Sequence, residues 1–468
     1  MTPIRQGLTS LCMVAALSVT AIAAKAETLA DALTAAYMHS GLLDQNRALL
    51  RAADEDVAGA VAELRPIINY TVSVRRQFGS RFSAQLGRGV NFGNTDATAG
   101  IAAELLIYDG GASRLAVEAA KETVLAARQD LIGVEQDVLL RAAQAYISVI
   151  RDAETVSLRR NNLKLLDEEL RAARNRFEVG EVTRTDVALA EARRSAAQAN
   201  LAAARGQLDI SREEYAAVVG RKPGQLAGIS TLPKLVRNES KAKTLAVRTH
   251  PALKSVQFSA NAAELNIRRA EAGRKPRVTL EGNLSVRQRF ESEDFTESGD
   301  IGIVARGPIY QGGAISSGVR QAMARRDAVM GQLHTTRHAI QQNVGAALAQ
   351  LNIADASIGA TRQQIRAAQV AFRGVREEAQ LGQRTTLDVL TAEQDLLDAR
   401  TQLTNAIADR NAAVFGLLAA QGLMTAEHLR LPVQKYDPTE YYNLIKNAPA
   451  ISKQGDKLDR VLKKLGKQ

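Results

Sequence analysis

The motif Ile107-Tyr108-Asp109-Gly110-Gly111 returns 202 residues later as Ile309-Tyr310-Gln311-Gly312-Gly313. The same offset relates three further pairs of residues: Gly180 and Gly382, Thr183 and Thr385, and Asp186 and Asp388. A constant offset over this distance indicates an internal duplication, in which one arrangement of elements is built twice. The repeat therefore decides the fold, and the rest of the chain is interpreted from it.

Upstream of this motif the offset between the two copies changes. Ser73-Val74-Arg75 recurs as Ser285-Val286-Arg287, which is an offset of 212. The difference of ten residues predicts a longer loop in the first copy, within residues 79–95. We assign residues 27–230 to the first repeat, 231–430 to the second repeat and 431–468 to a basic C-terminal tail.

Proline is absent from two long stretches, between Pro66 and Pro223 and between Pro308 and Pro432. Within them, apolar residues recur at three- and four-residue steps, which is the periodicity of a helix. The pattern predicts two long helices, over about 112–177 and 314–380, each about 100 Å long at ~1.5 Å per residue. Helices of this length exceed a globular core and must pack side by side, as coiled coils or a helical barrel.

Before each long helix the apolar period changes from about 3.6 residues to two. Residues 68–78 and 278–290 alternate apolar and polar side chains, and weaker strands are predicted at 98–108 and 299–309. About 9–11 residues suffice for a tilted strand to cross a bilayer. Four strands cannot close a membrane barrel, whereas two copies of the chain supply eight strands and three supply twelve. Twelve strands leave a lumen. The alternative to membrane strands is a soluble hairpin with one buried face.

Composition excludes several classes of protein. The chain has 468 residues, a formal net charge of +11, 46% hydrophobic residues and one cysteine, so neither wholesale disorder nor a disulfide-stapled fold is expected. Residues 1–26 have a basic start, an apolar stretch and Ala24-Lys25-Ala26, and are predicted to be a signal peptide that contains Cys12. The mature chain is then periplasmic, secreted or inserted in a membrane as a β-barrel.

No pattern of catalytic, metal-binding or nucleic-acid-binding residues is found. His334 and His338 are spaced as in a zinc motif, but Thr335 stands where its glutamate is needed. The glycines at 87, 89 and 93 lack a dinucleotide-binding context and are predicted to form a hairpin loop. Basic residues are spread among acidic ones, except in the tail from Lys446. We expect no enzyme activity, cofactor or metal.

The layout resembles the TolC family of outer-membrane efflux and secretion channels over nearly all of residues 27–431. Three segments carry the resemblance: Arg176–Gly180 with Thr185-Asp186-Val187, Leu381–Thr385 with Asp388-Val389-Leu390, and the junction Pro308–Gly313. The resemblance implies an α+β fold of mostly long helices. In it, a trimeric twelve-stranded transmembrane β-barrel, with four strands per protomer, continues as a periplasmic α-helical barrel of coiled-coil hairpins.

The resemblance also implies function and partners. The chain is expected to be a homotrimer in the outer membrane and the exit duct of a tripartite efflux or type I secretion system. Its partners would be a periplasmic adaptor, an inner-membrane transporter of the ABC or RND type and outer-membrane lipid, with no role for nucleic acid. Two alternatives are a coiled-coil scaffold without a pore and a stand-alone diffusion porin, but a porin has no use for such long helices.

The two hairpin tips are the predicted functional site. Gly180 and Gly382 should end the long helices in the left-handed conformation, and Thr183 with Asp186 and Thr385 with Asp388 should form capping boxes. Capping alone accounts for both carboxylates, and whether Asp388 also faces a lumen as a ring of charge stays open. Six residues of the tips are predicted to dock the periplasmic adaptor: Val179, Gly180, Thr183, Leu381, Gly382 and Thr385.

By resemblance, Arg384 matches the gate arginine of the family, with Thr185 and Asp186 as its partners and Asp388 as the acidic ring. This chain departs from the best-known pattern at Ala379, where a gate tyrosine is expected, and at Thr391, where a second acidic ring is expected. The strands are predicted to place four charged side chains in the barrel lumen: Arg75, Glu281, Arg287 and Arg289.

Overall fold

The computed structural model describes residues 26–229, 231–447 and 460 of the chain. The predicted signal peptide, apart from Ala26, and most of the predicted basic tail lie outside these residues. The described chain is mostly helical, with one sheet of four antiparallel strands. No helix within the described residues is both long and apolar enough to cross a membrane.

Both halves of the chain run through the same order of elements: two short helices, two strands, a long helix and a return helix. In the first half these are α1 Leu29–His39, α2 Gly41–Ala62, β1 Ile67–Ser83, β2 Arg88–Tyr108, α3 Ala112–Glu178 and α4 Arg184–Val219. In the second half they are α5 Glu239–Thr249, α6 Pro251–Ala272, β3 Arg277–Arg289, β4 Phe295–Arg306, α7 Ala314–Gln380 and α8 Thr386–Ala420. A last helix, α9, spans Pro438–Ile445. The predicted duplication is confirmed.

The predicted register of the upstream repeat is wrong by two residues. α2 and β1 begin 210 residues before α6 and β3, whereas α3 begins 202 residues before α7. The match of Ser73-Val74-Arg75 with Ser285-Val286-Arg287 gave the wrong offset for this strand. A shift of two residues along a strand keeps every side chain on the same face, so the two registers have the same apolar pattern. The first strand pair is therefore longer by eight residues rather than ten.

The extra residues do not form the predicted long loop. β1 and β2 both extend far beyond the predicted strands and turn tightly at residues 84–87. Of the three glycines assigned to a loop, only Gly87 lies in this turn, where its φ is +64°, while Gly89 and Gly93 lie in β2. β2 joins β3 only from Asp96 onwards, so residues 88–94 pair with β1 alone and this hairpin projects past its neighbour.

The long helices have the predicted bounds to within one residue, but their burial differs. α3 packs against α1, α2, α4, α6 and α8, whereas α7 packs against α5, α6 and α8. As a result α3 has 20 buried residues and α7 has nine. The main core surrounds Tyr146 in the middle of α3. It also contains residues of α1, of the second halves of α4 and α8, and of the segment that follows α8. Among the described residues, no element covers the outer faces of α7 and α4.

The segment after α8 folds back as a strap, residues 421–447, over the first repeat. The backbone N–H of Ala426 donates a hydrogen bond to Glu135 of α3 at 2.6 Å. Further along, α9 lies against α2, and the Tyr441 hydroxyl donates to Glu55 at 2.5 Å. The strap ends beside Arg65, which donates to the carbonyl of Asn447 next to the start of β1.

Candidate functional site

Each helical hairpin ends in a tight turn that is built on one glycine. Gly180 has φ +83° and Gly382 has φ +75°, the left-handed conformation that residues with a Cβ rarely adopt. The backbone N–H of Gly180 donates to the carbonyl of Phe177 at 3.0 Å, and that of Gly382 donates to Ala379 at 3.2 Å. These bonds satisfy carbonyl groups at the end of each long helix, so the predicted left-handed helix ends are confirmed.

Both return helices begin with the predicted capping box. The carboxylate of Asp186 accepts hydrogen bonds from the backbone N–H of Thr183 at 3.0 Å and from its hydroxyl at 2.7 Å. Asp388 accepts the same two bonds from Thr385, at 3.0 and 2.9 Å. In return, each threonine hydroxyl oxygen accepts from the backbone N–H of its aspartate. The tips are therefore rigid at the start of α4 and α8.

These bonds fix the charge of both aspartates. Hydrogen bonds from the Thr183 hydroxyl and backbone lower the pKa of Asp186 below its ordinary value. The backbone and hydroxyl of Thr385 lower the pKa of Asp388, with a further contribution from the charge of Arg384. Both carboxylates are therefore ionised at neutral and mildly acidic pH.

The structure does not bring Arg384 to Thr185 or Asp186 within one chain. The Nε of Arg384 instead donates to Glu378, in the last turn of α7, at 2.8 Å. Glu378 is a residue that sequence reasoning missed, although it precedes Arg384 by only six positions. Its equivalent in the first repeat is Arg176, so the two tips differ in charge where their backbones agree.

The apex of each tip exposes one apolar side chain. Val179 is 71% exposed and Leu381 is 76% exposed, and the two lie at equivalent positions of the repeat. Thr185 and Arg384 are also exposed, whereas Ala379, at the position expected for a tyrosine, is buried. Thr391 uses its hydroxyl to bond the carbonyl of Leu387. The apices are thus small apolar knobs on a polar surface.

The strands place the four predicted lumen residues on one face of the sheet. Arg75 lies opposite Asp96, which lies opposite Arg289, and the Arg289 guanidinium is 3.6 Å from the Asp96 carboxylate. Glu281 pairs with Arg306 at 2.7 Å. Arg287 lies between threonines of its two neighbouring strands. Sequence reasoning missed Asp96 because it assigned that part of β2 to the edge of a loop.

The opposite face of the sheet is apolar and exposed. Its side chains come from the even-numbered residues of β1 and β3 and the odd-numbered residues of β2 and β4. They include Ile68, Tyr70, Val72, Val74, Ile101, Leu284, Val286, Ile301 and Ile303, all of them exposed. An apolar surface of this extent is covered by lipid or protein in a working molecule.

The described residues include no cluster of three or more His, Cys, Asp or Glu side chains that could hold a metal ion. His334 and His338 are both exposed on α7.

Comparison with known proteins agrees with this architecture. The sequence matches the family described as "Outer membrane efflux protein" over residues 33–221 and 244–423. It is 36% identical to the outer membrane efflux protein BepC of Brucella suis over 427 residues, 91% of this chain and 92% of that protein. It is 26% identical to the outer membrane protein TolC of Vibrio cholerae over 433 residues, 90% of this chain and 96% of that protein. The fold matches the CmeC outer membrane channel of Campylobacter jejuni with a TM-score of 0.76 at 16% identity, covering 91% of this chain and 90% of CmeC.

Proposed function

The chain belongs to the outer membrane efflux protein family, the family of TolC, and we propose that three copies form a duct whose periplasmic end is gated at the hairpin tips. The protein is an outer-membrane channel, the exit duct of an efflux or type I secretion system. The finer features, which are the copy number, the gate and the partners, are argued below from the surfaces of the single chain.

The sheet carries the proposal. It has an ionic face and an exposed apolar face, and within the described part of the chain both of its edge strands, β1 and β4, lack a neighbour on one side. Pairing of β1 of one copy with β4 of the next removes the open edges, and lipid then covers the apolar face on the outside of the closed barrel. Three copies give twelve strands, which enclose a lumen lined by Arg75, Asp96, Arg289 and the other ionic side chains.

The helical surfaces support the same assembly. α8 packs on α3 within the chain, while the equivalent face of α7 is uncovered. The repeat relates α3 to α7 and α8 to α4, so α4 of a neighbouring copy can cover α7 as α8 covers α3. Three copies would then close a ring of twelve helices, with the six tips at one end.

At these tips we assign gating to the charged residues and docking to the exposed ones. Arg384 and Asp388 of one copy would approach Thr185 and Asp186 of the next, since no such pairing forms inside the chain. Val179 and Leu381, with the glycines and threonines of both turns, offer small apolar knobs to a periplasmic adaptor. An inner-membrane transporter of the ABC or RND type would drive substrate through this adaptor into the duct.

Single-channel conductance in planar bilayers tests the proposal. The purified trimer should show a small conductance that rises severalfold in Arg384→Ala, because that variant loses the cation at the tip. Arg184→Ala, at the start of α4, removes an exposed tip arginine that forms no ion pair among the described residues and should leave the conductance unchanged. Equal conductance in all three proteins would remove Arg384 from the gate. A chain that never enters membranes would overturn the duct itself.

A further inference from the structure

A buried carboxylate joins the two hairpins about two turns above the second tip. Glu393 of α8 is only 6% exposed, although glutamate is rarely buried to this degree. Its carboxylate accepts a hydrogen bond from the side-chain amide of Asn162 on α3, which is itself buried. One turn away along α3 and α8, Leu166 and Leu390 form a small apolar cluster with Ala197 of α4.

The first repeat treats the equivalent residue differently. Glu191, 202 residues before Glu393, is exposed and pairs at 2.5 Å with Arg174 of its own hairpin. The equivalent of Arg174 is Arg376, which pairs across to Glu169 of α3 at 3.3 Å instead of turning to Glu393. In the second repeat, therefore, the equivalents of Glu191 and Arg174 both pair with residues of the first hairpin.

The charged groups around Glu393 come from four helices. α3 contributes Glu169 and α4 contributes Arg193, whose charges act on Glu393 in opposite directions. Arg373 of α7 and Arg400 of α8 line a cavity of about 210 Å³ that opens beside the Glu393 carboxylate. None of these four residues bonds to Glu393 directly, so the Asn162 amide is the one hydrogen-bond partner of this carboxylate among the described residues.

We propose that Glu393 and Asn162 form a latch, in addition to the contacts at the tips. This latch holds the α7–α8 hairpin on α3 and releases it when Glu393 loses its proton. The inference rests on the proposed gating at the tips. When that hairpin moves outward, α8 leaves α3 and Glu393 enters water. The tip contacts set where the gate closes, and the buried pair sets how readily it opens at a given pH.

The sign of the effect follows from burial. Desolvation raises the pKa of Glu393 from 4.5 to about 7 in the closed chain, against the opposing effect of the Asn162 hydrogen bond. In the open state the hydrated carboxyl returns towards its ordinary pKa, so opening releases a proton. Between these two values the opening equilibrium rises with pH, by at most about tenfold per pH unit for each protomer, and it levels off above about pH 7.

Open probability measured at several pH values tests the latch. Wild-type channels and the Arg384→Ala variant should open more often at about pH 7.5 than at about pH 5.5, by roughly tenfold or more. Glu393→Gln keeps the shape of the side chain without the charge, and should give a channel that is mostly closed and indifferent to pH. Asp395→Asn is the control, and should keep the wild-type pH profile because it removes an exposed carboxylate from the same helix, α8.

Two results would overturn the latch: a Glu393→Gln channel with the wild-type pH profile, or an Asp395→Asn channel that loses it. A wild-type trimer that conducts without any dependence on pH also rejects the latch but leaves the duct intact. The duct itself fails only if the wild-type protein does not conduct at any pH.

A disulfide tests the movement without relying on titration. Cys12, in the predicted signal peptide, is the only cysteine of the sequence, so the double variant Asn162→Cys, Glu393→Cys introduces the only pair. Oxidation should hold the channel closed at every pH, and reduction should restore opening. An oxidised double variant that opens as often as the reduced one would show that α8 does not leave α3.

Discussion

Asp54 and Glu264 occupy equivalent positions in α2 and α6, 210 residues apart, but only Glu264 forms an ion pair among the described residues. Glu264 bonds Arg326 of α7 at 3.0 Å at the surface. Asp54 is 0% exposed, and neither of its carboxylate oxygens has a hydrogen-bond partner in the part of the chain that the structure describes. The strap lies beside this position: Tyr436 and Tyr442 pack against the apolar cluster that includes Leu50 and Val57 of α2, and the guanidinium of Arg128 is 5.2 Å from the Tyr442 ring. The strap thus covers a carboxylate in one repeat that is open in the other.

Asp54→Asn should stabilise the protein at neutral pH. Burial raises the pKa of Asp54 from 3.8 to about 6, so the folded state loses stability as pH rises from about 4 to 6 and remains penalised above that range. Removing the charge should recover about 1–3 kcal/mol of unfolding free energy at pH 7.5 and little at pH 4. Thermal unfolding of the purified protein at both pH values measures this. Glu264→Gln, at the half-buried equivalent position, should give no gain, and a lower midpoint for Asp54→Asn at pH 7.5 would contradict the assignment.

Gly422→Ala should cost far more stability than Gly382→Ala. Both glycines have positive φ, +72° and +75°, which costs a residue with a Cβ about 1–2 kcal/mol. At Gly382 a Cβ would meet open space, whereas at Gly422 it would lie 2.7 Å from the Cα of His250. Denaturation midpoints of the two variants test the difference. Equal losses of stability in the two variants would mean that Gly422 does not stay in close contact with His250 at the start of α6.

Loss of a threonine cap should loosen one tip at a time. Thr385→Ala removes the hydroxyl that bonds Asp388 and should cost about 1 kcal/mol of helix stability at the start of α8. Limited proteolysis should then cleave the second tip faster, with the first tip unchanged, and Thr183→Ala should show the reverse. Thr385→Ser retains the hydroxyl and serves as the control. Protection that is unchanged in both alanine variants would show that the caps do not hold the tips.

The proposed trimer predicts a specific contact between copies. The repeat moves Asn162 to Gln364 of α7 and Glu393 to Glu191 of α4, so these two residues should meet across the protomer boundary. The double variant Gln364→Cys, Glu191→Cys should form covalent dimers and trimers on oxidation in intact cells. Neither single variant should do so, and a double variant that stays monomeric under oxidation would refute this packing of α4 on α7.

The ionic face of the sheet should set the ion preference of the pore. Arg75 and Arg289 flank Asp96 in adjacent strands, so removing both arginines leaves one uncompensated acid per copy at this level. The double variant Arg75→Ala, Arg289→Ala should shift the reversal potential in a salt gradient towards cation preference. Asp96→Asn should shift it the other way. No shift in either variant would place this face away from the conducting path.

The helical part of the fold could be predicted closely from the sequence, and the strands only in part. Proline-free periodic stretches that end in Gly180 and Gly382 fix both long helices, because helix ends have local chemical signals. The first part of β2 has no such signal. Asn91, Gly93 and Asn94 are typical of loops, and pairing with β1 overrides their preference.

The gate and latch residues show a different limit. Glu191 and Glu393 both follow an alanine in the same repeated motif, so their local sequences indicate one role. Which of them is buried depends on the α3 surface around Asn162, which is distant in the chain. The pairing of Arg384 with Glu378 likewise depends on how the last turn of α7 folds back beside the tip.

The unequal strand pairs have a consequence for the symmetry of the proposed trimer. The tips differ little in backbone, so a periplasmic partner that recognises backbone shape meets six near-identical sites. At the outer end only the β1–β2 hairpin projects, and the rim has three high points separated by three low ones. A ligand that recognises the projecting hairpin from outside the cell therefore has a maximum stoichiometry of three per duct, half the valence available at the other end.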